Sequence, residues 1–151
     1  MQSDNHQHIT ALLNASLTSI HELMSIETDK PNLVNTPIVQ TDHGVLIGIV
    51  GDIKGRIFIL GTETMFAKAG LAMYGVDLMG DMLESFVGEF GNSVAGHAAT
   101  KLSNQGIRID ITPPTTMQGH VKFGGFSKAI AVPFRMGNQE HGQLVLAVED
   151  R

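Results

Sequence analysis

Two side chains near the middle of the chain have the types and spacing to act together. Glu89 and Asn92 are three residues apart in Glu89-Phe90-Gly91-Asn92. On a helix, such positions are surface neighbours. A carboxylate can pair with a cation, and a neutral carboxamide can both donate and accept hydrogen bonds. Alone, Glu-x-x-Asn is a weak signal, because the same residues decorate any solvated helix face. Its setting is more telling: Ser85, Gly88, Gly96 and Ala99 surround the pair, so the two groups would stand out from a nearly bare surface. Ser85, Gly88 and Gly96 are therefore candidates for a face that a partner approaches. Close packing is the alternative for each glycine, and the favoured one for Gly91.

Other chemistry is poorly supported. His6 and His8 form a His-x-His pair in a polar terminus. His21-Glu22 begins like a zinc-protease motif, but Ser25 stands where the second histidine is needed. His43, His97, His120 and His141 have no partners at ligand spacing and read as surface or core residues. Gly48-Ile49-Val50-Gly51 lacks the Gly-Lys-Ser/Thr of a phosphate loop, and no Gly-x-Ser-x-Gly elbow is present. With no cysteine, disulfides, thiolate metal sites and thiol nucleophiles are excluded. No metal site or cofactor of the chain's own is expected. The eight methionines are read as mostly core filler.

Length and charge narrow the class further. A chain of 151 residues, 42% hydrophobic and 17% charged, suits one globular domain. Residues 9–151 are read as that domain and residues 1–8 as a flexible tail. The net charge is −5 and no two Lys or Arg are adjacent, so neither nucleic acid nor an anionic membrane is an expected partner. No apolar run reaches the roughly 18 residues of a spanning helix, and the first residues do not resemble a signal peptide. The expected location is the cytoplasm.

The elements that must position the pair follow from periodicity. Ile9, Leu12, Leu13, Leu17, Ile20, Leu23 and Met24 predict a first helix to about Ile26. A polar stretch with Pro31 follows, then a short strand at Pro37–Gln40. The runs 44–50 and 56–60, separated by Gly51-Asp52-Ile53-Lys54-Gly55, predict a hairpin. Thr62 caps a helix to about Met73, with Gly75 as its stop. A long helix runs from Asp77 or Asp81 to about Asn104, closed by Gly106. Its apolar stripe is Met79, Leu83, Phe86, Val87, Phe90, Val94 and Ala98, opposite Glu89 and Asn92. Strands are expected at 107–112, 119–123, 127–134 and 142–148. Each half of the chain thus reads helix, Thr-Pro strand, hairpin, with one extra strand in the second half. Chance likeness and true duplication both remain open.

The stretch from Val87 to Leu102, with Thr112-Pro113-Pro114 and Gly119 downstream and Gly51-Asp52-x-x-Gly55-Arg56 upstream, resembles the CheX branch of the CheC/CheX/FliY chemotaxis phosphatases. The resemblance runs from about Ile9 to Glu149. It implies an α+β fold, with an antiparallel sheet packed against long helices in two pseudo-symmetric halves. It also implies a phosphatase of a CheY-like receiver, with Glu89 and Asn92 as the motif residues, and a possible homodimer joined through sheet edges, for which 127–134 is the candidate exposed strand. The first helix has Ala11 where a second motif would need glutamate, which matches a one-site CheX rather than a two-site CheC. His97 and Ser93 depart from the family's common residues.

In that family setting, the receiver brings its own magnesium ion and lysine to the aspartyl phosphate. What is missing is a water in line with the departing carboxylate. A neutral amide at Asn92 could orient it without repelling the phosphoryl oxygens, and Glu89 would anchor the partner through an ion pair. A solubilising surface charge is the plainer reading of Glu89. A non-catalytic receiver-binding module and a small-ligand sensor are the competing functions.

Overall fold

The computed structural model describes residues 2–34, 38–126, 128–137 and 140–149, with backbone alone at 2–6 and 38–40. Helix α1 spans Gln2–Leu23. Residues 2–8, expected as a flexible tail, form its first turns. A helix held by a packed stripe extends at little further cost, because each added residue gains a hydrogen bond without a new nucleation step. Leu12 and Ile20 of that stripe are buried, as is Ala15.

Two short strands follow, β1 (Glu27–Thr28) and β2 (Asn32–Leu33). Then come β3 (Ile38–Gly51) and β4 (Gly55–Gly61), the expected hairpin. Of the short strand expected at 37–40, Pro37 lies outside the described residues. Ile38–Gln40 continues without a break into β3. The strand pairing shifts register between Thr41 and Gly44, so one bulged strand replaces two separate ones.

Helix α2 spans Glu63–Tyr74, capped by the Thr62 hydroxyl, which accepts from the Met65 N–H at 3.0 Å. It ends at Gly75, whose φ of 72° is the left-handed conformation glycine adopts freely. Helix α3 runs over Gly80–Asn104. The remaining strands are β5 (Ile109–Ile111), β6 (Thr115–Lys122), β7 (Lys128–Met136) and β8 (Glu140–Val148).

All pairings are antiparallel, in the order β1-β7-β8-β4-β3-β5, with β2 also on β7 and β6 also on β3. The second half's extra strand therefore has a counterpart: β1 and β2 flank the β7–β8 hairpin as β5 and β6 flank β3–β4. Each half lays its broken strand along the other half's hairpin, so the two halves are interlocked about the central β4–β8 pair. β7 is consequently interior. Its expected role as an exposed strand free to pair with another copy does not hold, because β1 and β2 occupy its outer side.

The strands alternate between two cores. Val45, Ile47, Ile49, Ile57, Ile59, Leu144 and Leu146 face the helices. Phe58, Leu60, Val145 and Ala147 face the other way, where Phe123 and Phe126 cover them. The Gly51-Asp52-x-x-Gly55-Arg56 turn serves this framework. The Asp52 carboxylate accepts from the Arg108 N–H at 2.8 Å, and Arg56 donates to the Gly124 carbonyl while lying over the Phe123 ring.

Candidate active site

Helix α3 positions the Glu-x-x-Asn pair by what lies between its two members. Phe90 is fully buried, edge-on to Phe66 at 6.1 Å and tilted against Phe86 at 5.9 Å. Gly91 is buried against β3, where a Cβ would sit 2.7 Å from the Val45 Cγ2. Such an approach leaves no room for a larger side chain unless Val45 is displaced. With Phe90 and Gly91 turned inward, the helical period turns Glu89 and Asn92 outward, and both are exposed. Among the described residues, neither makes a hydrogen bond or ion pair within the chain. A carboxylate and a carboxamide thus stand free on a rigid helix.

Ser85 is exposed on the same stripe, one turn before Glu89. Gly96 lies one turn after Asn92, with open space where a Cβ would be. Gly88 does not share that openness and is no part of a bare surface. It is buried beneath the start of β6 and the segment that joins it to β5, where a Cβ would meet Thr116 Cγ2 at 3.5 Å and Pro114 Cγ at 3.8 Å. Thr112 holds this segment in place. Its hydroxyl accepts from the Gly48 N–H at 2.8 Å, and its own N–H donates to the Gly48 carbonyl at 3.0 Å. The Thr112-Pro113-Pro114 motif is therefore a side support for the helix that bears the pair.

Comparison with known proteins gives the family in which this pair occurs. The family model described as Chemotaxis phosphatase CheX matches residues 43–134. The chain belongs to the CheX family. A curated relative, the CheY-P phosphatase CheX of Thermotoga maritima, is 31% identical over 147 residues, covering 93% of this chain and 95% of the relative. Among solved structures, a CheC-like superfamily protein from Shewanella sp. PV-4 superposes with a TM-score of 0.80 at 25% identity, covering 99% of this chain and all of that one. The CheX of a CheX–CheY–BeF3–Mg complex from Borrelia burgdorferi shares the fold with a TM-score of 0.74 at 22% identity, covering 94% and 97% of the two chains.

The CheX fold also absorbs residues with no evident partner in the sequence. His43 is buried, with the Gln118 amide 3.1 Å from its Nδ1 and a Glu63 carboxylate oxygen 3.9 Å from its Nε2. With Asp81 and Glu84 these residues line a cavity of about 270 Å³ beside the start of α3. Glu84 accepts from the Thr116 hydroxyl at 3.3 Å, a second tie between α3 and β6. His97 is exposed. No group of three or more His, Asp or Glu among the described residues could hold a metal ion. Also among the described residues, no helix is long and apolar enough to cross a membrane.

A glycine that nothing covers should behave differently from one under the sheet. Gly96→Ala is expected to raise the melting temperature by about 2–4 °C, since it removes the helix penalty of glycine, about 1 kcal/mol, without a clash. If Gly96 leaves room for the partner, the same change slows phosphate release severalfold. Thermal melts and a release assay on one preparation check both, and an unaltered rate would remove Gly96 from the partner face.

Proposed function

We propose that this chain hydrolyses the aspartyl phosphate of a CheY-like receiver, with Asn92 orienting the attacking water and Glu89 anchoring the receiver. The observation that supports it best is the free, outward pair on a helix locked by Phe90 and Gly91, in a chain 31% identical to a CheY-P phosphatase. The pair stands on an open helix face, which suits a macromolecular substrate better than a small ligand needing enclosure.

The reaction forms a bond from the water oxygen to phosphorus and breaks the bond from phosphorus to the receiver's aspartyl oxygen. The products are inorganic phosphate and free aspartate. In-line attack needs the water opposite the leaving carboxylate. Asn92 meets that need with its carbonyl accepting a hydrogen bond from the water, whose protons leave with the phosphate, while its NH2 group is free to donate to a phosphoryl oxygen. The receiver supplies the magnesium ion and lysine that offset charge on the phosphoryl group, so this chain needs no metal of its own. Glu89, exposed one turn from the reacting centre, suits a cationic group on the partner. With a phosphorylated receiver as its substrate, the proposed site of action is the cytoplasm.

The test is to mix the purified chain with a panel of phosphorylated receivers and magnesium and follow loss of label. At least one receiver is expected to lose phosphate many times faster than it does alone. Binding to receivers with no acceleration in any of them would replace the phosphatase reading with that of a docking module.

A further inference from the structure

The outward stripe of α3 does not end at Glu89. Met82, seven residues earlier, lies on the same side of the helix and is 62% exposed. Met79, at the helix entry, is 76% exposed. The turn into α3 explains both. Leu78 is buried, packed under Gly70 of α2, and Gly80 takes a φ of 58°. The chain is thereby pinned at Leu78 and swung outward at Met79. Tyr74, at the end of α2, is 57% exposed and stacks edge-on against Phe86, one turn after Met82. Val76 is exposed between them. Four large apolar side chains thus lie exposed where α2 meets α3, with Met82 on the outward stripe that Ser85 continues to the site pair. Beyond Gly96 the same stripe carries Ala99, Thr100 and Ser103, which are small or polar.

We infer that this Met79–Met82 patch is the apolar anchor of the receiver-docking surface and sets affinity, while Asn92 sets the rate. The inference rests on the proposed function of the Glu89–Asn92 pair. Its occupant is the receiver, for a geometric reason. A stable interface covers about 800 Å² per partner, a disc of radius about 16 Å. At 1.5 Å per residue, Met82 is about 10 Å along the helix from Glu89 and about 15 Å from Asn92. A receiver seated with its phosphate at Asn92 therefore reaches Met82. Interface cores favour methionine and aromatic side chains, and methionine adapts to the shape it meets. Exposed charges at Asp77 and Asp81 flank the patch.

The experiment titrates the full-length chain into receivers held in the phosphorylated form by beryllofluoride and magnesium, alongside the phosphate-release assay. Met82→Glu is expected to weaken binding at least tenfold and raise KM to match, with kcat within about twofold. Met82→Leu, which keeps the apolar contact, should bind within about threefold of the unsubstituted chain. Leu33→Glu, an equally exposed apolar position on β2 at the opposite edge of the sheet, should change nothing. Unaltered affinity in Met82→Glu would overturn the inference. So would a change in the mass of the free chain in Met82→Glu, which would make the patch a contact between copies. Failure to bind any receiver would overturn it too. Binding without acceleration would fail the phosphatase reading alone, and Met82→Glu would still decide the docking surface by affinity.

Discussion

Asn92→Ala is expected to lower the rate of receiver dephosphorylation by at least about a hundredfold while leaving receiver binding within a few-fold. The magnitude follows from the role proposed for the side chain. Holding a water in line and stabilising it through preorganised hydrogen bonds is worth several kcal/mol, and removal of one such group commonly costs about 10²–10³ in rate. Binding should survive because a single exposed amide adds little to an interface anchored elsewhere. Nor can lost activity be assigned to unfolding. Asn92 is exposed and mid-helix, and alanine is the better helix former there by a few tenths of a kcal/mol. A quench assay with labelled receiver, run beside a binding titration, checks the split. Equal release rates for the variant and the unsubstituted chain would end the role of Asn92, and a loss confined to affinity would make it a docking residue.

Gly91→Ala should do the reverse of Gly96→Ala, although both add one methyl group to the same helix. At Gly91 the new Cβ meets both Val45 methyls inside contact distance. Val45 is fully buried in β3, whose backbone is paired at this position with Ile59 of β4 on one side and Thr116 of β6 on the other, so it cannot yield without moving the sheet. Overpacking of this kind costs about 1–3 kcal/mol. The helix gains back up to about 1 kcal/mol. The net expectation is a loss of about 1 kcal/mol, seen as a melting temperature lower by about 2–4 °C. The activity of the folded fraction should fall as well, because α3 must shift away from β3 and carries Glu89 and Asn92 with it. Val45→Ala added to Gly91→Ala makes room for the methyl group and should restore part of both. A Gly91→Ala chain as stable as the original would show that the helix does not rest on Val45.

Much of the site was legible in the chain because helical period is a local property. The outward placement of Glu89 and Asn92, the inward placement of Phe90, and the close packing of Gly91 all follow from a 3.6-residue repeat and from the residue types. So do the Thr62 cap and the Gly75 stop of α2, where a hydroxyl and a left-handed glycine satisfy nearby backbone groups. The fate of Gly88 was not legible. Whether a glycine on the flank of a helix is bare or covered depends on a segment more than twenty residues away, and Thr112 fixes that segment to Gly48 across the sheet.

The same division holds for the whole molecule. The sequence by itself determined where helices and hairpins form, which helix face is apolar, and that an acid and an amide share the opposite face, because these depend on neighbours along the chain. Only the tertiary structure decided that the halves interlock, that β7 is interior, that residues 2–8 extend α1, and that Met82 shares an open surface with the pair. Each of these depends on which distant segment covers which, and burial is settled by contacts between residues far apart in the chain.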